Sequence, residues 1–203
     1  MALTDALVIA ATVLAAAAGM RVARARPPAR PVMTASVAAV LTAGLAAQLT
    51  FPELLTALRR NSGAVEDGEV WRLGTALVMQ DGGLGGGIWN IVAFIAIGTL
   101  AERIFSRKGW AALVLAGAVA GESAGFFWAP IGAGNSIMVM GLGGGILVAA
   151  LLKGDGPARL VGASGVAAMP VLLILHDLHG AALAAGAVLA LFGPRTMINL
   201  PSP

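Results

Sequence analysis

The side chains that could do chemistry in this sequence are few, and a serine and a histidine lead them. The chain has two histidines, His176 and His179, and no cysteine, which excludes thiol nucleophiles, disulfides and cysteine-based metal sites. A histidine is the usual general base near neutral pH. Ser136, in the run Gly134-Asn135-Ser136, is the nucleophile that such a base could activate. The alternative for Ser136 is a simple helix N-cap.

Asn90 is a third candidate, because its carboxamide could donate a hydrogen bond to a developing oxyanion. The alternative is a hydrogen bond to a neighbouring helix. The spacing His176-Asp177-Leu178-His179 places two imidazoles near one helix face, and a metal pair is conceivable there. No third ligand other than Asp177 is evident nearby. We therefore expect neither a metal nor another cofactor.

Composition indicates which elements must position these residues. The 203 residues are 58% hydrophobic and only 11% charged, whereas a soluble domain is roughly 45–50% apolar and about 25% charged. A bilayer core about 30 Å thick requires roughly 20 apolar residues per helix. The sequence therefore predicts an all-α, polytopic membrane protein with about seven spanning helices embedded in the lipid bilayer. The net charge of +3 is spread over short basic clusters between apolar runs, so we expect no nucleic-acid partner.

The predicted spans form one accessory helix and a core of six. Residues 1–24 make an accessory N-terminal transmembrane helix, which we expect to be retained because Asp5 stands where a signal peptide is basic. An arginine- and proline-rich linker, including Arg26, Pro27 and Pro28, separates it from a core over residues 33–195. The core spans are predicted at about 33–51, 88–104, 109–128, 136–152, 159–175 and 179–193, with one long outer loop over 52–87.

Basic residues set the expected orientation. Ten of the thirteen lysines and arginines lie in alternate connections, and the other three, Arg59, Arg60 and Arg72, lie in the long loop. By the positive-inside rule, the N-terminus and the long loop face outward and the C-terminus faces the cytoplasm of a cell-membrane protein. Ser136, His179 and Asn90 then lie at one membrane level, near the outer ends of three helices.

The order of these features resembles that of the rhomboid family of intramembrane serine proteases. The resemblance covers about residues 33–195 and rests on the following residues: Trp71-Arg72 in the long loop, Asn90, Gly98 with Glu102, the Gly-x-Ser at 134–136, and His179 followed by Gly186. It implies a rhomboid-like six-helix core, with Ser136 as the nucleophile and His179 as the general base of a dyad. It further implies that Asn90 is an oxyanion donor, that Trp71, Arg72 and Glu102 are structural, and that the substrates are transmembrane helices of membrane proteins.

Two positions depart from the family pattern, and one motif is a decoy. The family usually has a histidine four residues before the asparagine, where this chain has Gly86, and a glycine after the serine, where it has Ile137. Ile137 is expected to narrow the approach between the helices of Ser136 and His179. Ser164, in Gly162-Ala163-Ser164-Gly165, spells the serine motif better than Ser136 does. It precedes His179 by only fifteen residues, however, and we interpret it as part of a small-residue packing patch.

Three functions of different classes follow. The first is an intramembrane serine endopeptidase that uses Ser136 and His179. The second is a rhomboid-like pseudoprotease that binds transmembrane helices without cutting them, as Gly86 and Ile137 suggest. The third is an unrelated small transporter in which Glu122, in the middle of an apolar span, is the ion or proton site.

Overall fold

A computed structural model describes residues 3–24, 30–194 and 197. Arg26, Pro27 and Pro28 of the predicted linker and the basic residue Arg195 lie outside the described residues. The long helices are α1 (Leu3–Ala23), α2 (Val32–Thr50), α6 (Gly83–Ile104), α7 (Arg107–Trp128), α8 (Ser136–Lys153), α9 (Gly156–Ile174) and α10 (Leu178–Phe192). The short elements are α3 (Glu53–Leu58), β1 (Arg60–Asn61), α4 (Ser62–Glu66), α5 (Arg72–Thr75) and β2 (Ile131–Gly132).

Six of the long helices are long and apolar enough to cross a membrane, so the chain is a mostly helical, multi-pass membrane protein. The seventh, α10, has only 15 residues and is therefore about 22 Å long. It is short because Asp177 caps it at one end and Gly193 follows it at the other. The prediction of about seven full spans thus overstates the length of the last one.

The long connection between α2 and α6 is shorter and more ordered than the sequence indicates. The glycine-rich residues 83–87, assigned to the loop, form the first turn and a half of α6. The remaining segment contains α3, α4 and α5, and its strand β1 pairs in antiparallel fashion with β2, with Arg60 opposite Gly132. The segment is thereby tied to the connection that immediately precedes Ser136.

Helix α8 is the centre of the bundle, and its residues Ile137–Ala150 are all buried. It contacts α6, α7, α9, α10 and also α1. Glycines allow the closest contacts: a Cβ on Gly186 of α10 would collide with the carbonyl oxygen of Gly141, and one on Gly117 of α7 would lie 2.7 Å from the Cα of Gly141. Small residues let helix backbones approach closely inside a membrane. The glycine contacts therefore fix α10 and α7 against α8.

Helix α1 is part of the packed body. Its residues Ala11, Ala15 and Ala18 are at most 1% exposed and belong to the same apolar core as α6 and α8. The helix packs against α6, α8 and α9. It runs parallel to α8, since Val8 and Thr12 lie beside Ser136 and Gly19 lies beside Ile146. The sequence suggests a separate accessory helix and contains no signal for this packing.

Candidate functional site

Ser136 and His179 meet at one end of the bundle. Ser136 is the first residue of α8 and His179 is the second residue of α10. The glycine contacts between these helices bring the two side chains together, and the Ser136 Oγ lies 2.8 Å from the Nε2 of His179. A hydrogen bond of this length is the geometric precondition for proton transfer from the serine to the histidine. The side chain of Ser136 does not cap its own helix, which begins with Asn135 at the N-cap.

Asp177 adds a carboxylate to the pair. Its Oδ1 lies 2.6 Å from the Nδ1 of His179 and accepts a second hydrogen bond, 2.9 Å long, from the backbone N–H of the same residue. An ionised carboxylate can only accept, so the Nδ1 of His179 carries the proton and the Nε2 faces Ser136 as an acceptor. The resemblance in sequence implies a dyad of Ser136 and His179 without a third group. The structure instead contains a Ser136–His179–Asp177 relay.

Helix capping explains how Asp177 reaches the ring. An aspartate at the N-cap turns its side chain back toward the first backbone N–H groups of the helix, and His179 is the second residue of α10. Burial raises the pKa of the Asp177 carboxyl. The hydrogen bonds and the charge of His179 lower this pKa by more than burial raises it, so the pKa lies below its ordinary value of 3.8. An aspartate directly before an apolar run indicates a helix cap, but this sequence signal does not show that the side chain also reaches the ring of His179.

A polar cavity of about 200 Å³ lies over the relay. Ser136, His179 and Asn90 line it together with three charged residues: Arg60, Asp81 and Glu122. Its lining also includes residues of the connections, among them the exposed Asp81 and Gly82. Because a water molecule occupies about 30 Å³, the cavity can hold several water molecules.

A chain of buried amide groups holds Asn90. Its Nδ2 donates to the Oε1 of Gln80 over 2.9 Å, and the Nε2 of Gln80 donates to the Oδ1 of Asn135 over 2.8 Å. Gln80 and Asn135 are completely buried, and Gln48 of α2 bonds both backbone groups of Gln80. Because an amide nitrogen carries two hydrogens, the Nδ2 of Asn90 has a second N–H beyond the one that it donates to Gln80, and Asn90 lines the cavity. Sequence reasoning missed Gln48, Gln80 and Asn135.

Backbone groups at the start of α8 are the other donors near Ser136. The first N–H groups of a helix have no partner within the helix, and within the described residues neither Ser136 nor Ile137 donates its backbone N–H to another group. Gly134, with φ +146°, shapes the approach, since a Cβ there would lie 3.4 Å from the Asn90 Nδ2. Only glycine adopts such a φ without strain.

Ile137 does not separate the helices of Ser136 and His179. The side chain is 1% exposed and packs on Gly121 of α7, where an added Cβ would lie 2.6 Å from its Cγ2. Helices α8 and α10 meet further along, at Gly141 and Gly186. The expected narrowing at Ile137 is therefore wrong, because the side chain points to α7 and not to α10.

Glu122 forms a buried ion pair across the cavity. Its Oε2 lies 2.9 Å from the Nη1 of Arg60, and the guanidinium also donates to the carbonyl of Ala129. Gly125 and Gly132 leave the room, since a Cβ on either would fall within 2.8 Å of the guanidinium. Breaking a buried ion pair typically costs about 3–5 kcal/mol. This pairing gives Glu122 a structural role that the transporter hypothesis did not include.

Of the three residues expected to be structural, Glu102 and Arg72 make hydrogen bonds that hold neighbouring elements, and Trp71 is exposed. Glu102 accepts hydrogen bonds from the backbone N–H groups of Met33 and Thr34 and so caps α2 from the end of α6. Arg72 pairs with Glu69 over 2.6 Å and donates to the carbonyls of Thr56 and Arg59, which ties the long connection together. Trp71, by contrast, is 55% exposed.

The remaining polar candidates lie away from the relay. Ser164 is exposed on α9, while its neighbours Gly162 and Gly165 pack on Leu147 of α8, as the packing interpretation predicts. His176 stacks edge to face on Trp128, with ring centroids 5.4 Å apart. No group of three or more histidine, aspartate or glutamate side chains in the described residues could hold a metal ion.

Comparison with protein-family models, with curated proteins and with solved structures finds no match to this chain.

Proposed function

We propose that this chain is an intramembrane serine endopeptidase of the rhomboid type, with a Ser136–His179–Asp177 relay. The observation that carries the proposal is the pair of short hydrogen bonds, 2.8 Å from Ser136 to His179 and 2.6 Å from His179 to Asp177. A nucleophile, a base within reach and a third group that orients the base are the recurring parts of serine hydrolases on unrelated folds. The resemblance to rhomboids in the order of motifs supports the same conclusion.

The geometry leads to a conventional acyl-transfer mechanism. The Nε2 of His179 takes the Ser136 hydroxyl proton as the Oγ attacks the scissile carbonyl, and Asp177 stabilises the resulting imidazolium. The tetrahedral intermediate places its negative charge near the Asn90 amide and the first backbone N–H groups of α8. His179 then returns the proton to the leaving amine, and the C–N bond breaks. A water molecule from the cavity hydrolyses the acyl-enzyme by the same steps, with His179 as the base.

The position of the site points to transmembrane helices as substrates. Ser136 begins a membrane-length helix, and His179 belongs to a helix of only 15 residues, so the relay lies below the level that a full span would reach. A helical backbone hides its carbonyls in its own hydrogen bonds. A substrate helix must therefore unwind locally, and residues that break helices favour cleavage.

The direct test is covalent labelling of Ser136 by a fluorophosphonate probe in detergent micelles. We expect wild type to be labelled and Ser136→Ala to lose all labelling, because the probe reacts with an activated serine. The matched control is Ser164→Ala, which removes an exposed serine of a similar motif and should label like wild type. Equal labelling of wild type and Ser136→Ala would refute the proposal.

A rhomboid-like protein that binds helices without cutting them is the second candidate, and Gly86 favours it. A Cβ on Gly86 meets nothing within 4 Å, so the space of a family histidine is empty one helical turn before Asn90. Losing one oxyanion donor lowers the rate by about 10²–10³-fold. For an endopeptidase, Gly86→His should raise the turnover of a helical reporter severalfold or more. If wild type and Gly86→His both bind the reporter and cut nothing, the second candidate is correct.

A further inference from the structure

Helix α1 fills a gap between two helices of the bundle. It packs on α6 on one side and on α9 on the other, whereas α6 and α9 share at most marginal contact with each other in the described part of the chain. Behind α1 lies α8, whose Gly143 faces Ala15. Without α1, this face of α8 would be open to the bilayer between α6 and α9. Helix α1 thus closes a lateral cleft that leads to the helix carrying Ser136.

The outer part of α1 covers one side of Ser136. Val8 and Thr12 line a small recess together with Ser136, Asn90 and Trp89. The recess has almost no free volume, so the bilayer side of Ser136 is covered. The aqueous cavity on the other side is about 200 Å³, whereas a helix with its side chains is about 10–12 Å wide. Water and small molecules fit the cavity, but an intact transmembrane helix does not.

The contacts of α1 suit exchange with another helix. The packed face consists of small residues, Ala11, Ala15, Ala18 and Gly19, which form close van der Waals contacts but no side-chain hydrogen bonds. A hydrogen bond holds the opposite end, where the Nη2 of Arg103 donates to the carbonyl of Ala23 over 2.7 Å. Another helix with small residues can make the same contacts on α8.

We propose that α1 is an intramolecular competitor of the substrate, an inference that rests on the proposed function. It occupies the cleft between α6 and α9, and a substrate helix must displace it to reach Ser136. The ligand class of the cleft is therefore a single apolar transmembrane helix with small residues on one face. Catalytic rate then depends on how firmly α1 is seated.

A disulfide provides the test, because the chain has no native cysteine. A Cβ on Gly143 would lie 3.4 Å from the Cβ of Ala15, close to the separation of roughly 3.5–4.5 Å in disulfides. The double variant Ala15→Cys/Gly143→Cys locks α1 in the cleft when it is oxidised. The matched control is Thr34→Cys/Gly98→Cys, with a Cβ separation of 3.3 Å, which links α2 to α6 and leaves α1 free.

Both variants are reconstituted in phosphatidylcholine vesicles with a fluorescent single-span reporter, an alanine- and leucine-rich helix interrupted by a Gly-Ser pair. Oxidation of Ala15→Cys/Gly143→Cys should lower reporter cleavage at least tenfold, and dithiothreitol should restore it. Fluorophosphonate labelling of Ser136 should stay unchanged, because the probe enters through the aqueous cavity. Oxidation of the control should change neither readout. Equal cleavage by the oxidised and reduced forms of Ala15→Cys/Gly143→Cys would overturn the proposal.

Binding separates this proposal from the proposed function. In a Ser136→Ala background, energy transfer between the labelled reporter and the protein measures docking without catalysis, and the lock should abolish it. Ala15→Leu should loosen α1 and raise reporter binding severalfold, whereas Ala10→Leu, on the exposed side of α1, should not. If the lock does not reduce binding, or if Ala15→Leu behaves as Ala10→Leu does, α1 is not a competitor. Absent labelling in every variant would instead refute the protease.

Discussion

At the scale of single residues, Asp177 sets the tautomer and the orientation of the His179 ring. Its carboxylate bonds both the ring Nδ1 and the backbone N–H of His179, so one side chain begins α10 and orients the base. A positioning residue that is also a helix cap fixes the ring relative to the helix axis. Because α10 is in turn fixed on α8 by glycine contacts, the orientation of the ring is set relative to Ser136 as well.

Asp177→Asn should impair catalysis while preserving the fold. The amide oxygen can still cap α10, but its NH₂ group favours the wrong histidine tautomer, and the imidazolium loses its counter-charge. We expect kcat to fall by about 10²–10⁴-fold with little change in KM, and the pH profile of kcat to shift. Asp67→Asn, in the exposed part of the long connection, is the control and should match wild type. A fall in melting temperature without a change in the pH profile would indicate a purely structural role.

The lowered pKa of Asp177 also predicts how stability depends on pH. Since hydrogen bonds and the charge of His179 hold this pKa below 3.8, the folded state binds its proton less readily than the unfolded state does. The stabilisation is therefore complete above about pH 3.8 and is lost as pH falls through the lowered pKa. The melting temperature of wild type should exceed that of Asp177→Asn from pH 7 to pH 4, and the gap should narrow below that. A gap that widens on acidification below pH 3.8 would contradict this assignment.

Residue types and spacing predict part of this site. Ser136, His179 and Asn90 could be identified because each stands near the end of an apolar run, which sets its membrane level. Asp177 was visible only as a possible metal ligand, since a helix cap becomes an orienting group only when the ring position is known. The amides of Gln48, Gln80 and Asn135 were invisible, because their bonds join residues 32 and 55 positions apart. No local pattern encodes such pairs.

At the scale of helices, hydrophobicity locates the helices in the sequence, and glycine positions determine how closely they pack. Apolar runs located all seven long helices, but not their ends: α6 begins at Gly83 because a glycine run inside a membrane can continue a helix. The contact between α8 and α10 depends on Gly141 and Gly186, whose backbones touch. Both glycines were readable as packing residues, but their partners were not, since a small residue does not indicate which helix it faces.

Gly186→Ala should therefore separate the helices that carry Ser136 and His179. Its Cβ would collide with the carbonyl oxygen of Gly141, and overpacking of this kind costs about 1–3 kcal/mol. We expect a lower melting temperature and a loss of fluorophosphonate labelling of about tenfold or more, because the 2.8 Å bond from Ser136 to His179 would lengthen. Gly85→Ala is the control, since its Cβ meets open space in α6. If Gly186→Ala has the same fluorophosphonate labelling and the same melting temperature as Gly85→Ala, the substitution does not separate α8 from α10.

At the scale of the whole molecule, a cluster of basic residues and the relay lie at opposite ends of the bundle. The relay, the cavity and the long connection share one end, while Arg103, Arg107, Lys108 and Lys153 lie at the other, where α6 and α8 end and α7 begins. Of the three basic residues at the relay end, Arg60 pairs with Glu122 and Arg72 pairs with Glu69. The two ion pairs offset the positive charges of Arg60 and Arg72, which adds to the asymmetry that the sequence already indicates.

The asymmetry predicts that the relay end faces outward and the basic end faces the cytoplasm. Single cysteines test this cleanly, because none is present in the chain. Asp67→Cys lies in the exposed long connection and Lys108→Cys at the exposed start of α7. In intact cells, a membrane-impermeant maleimide should label Asp67→Cys only, and Lys108→Cys should react after the membrane is permeabilised. The reverse pattern would place the cavity and its water supply on the cytoplasmic side, where a substrate would have to present its unwound segment instead.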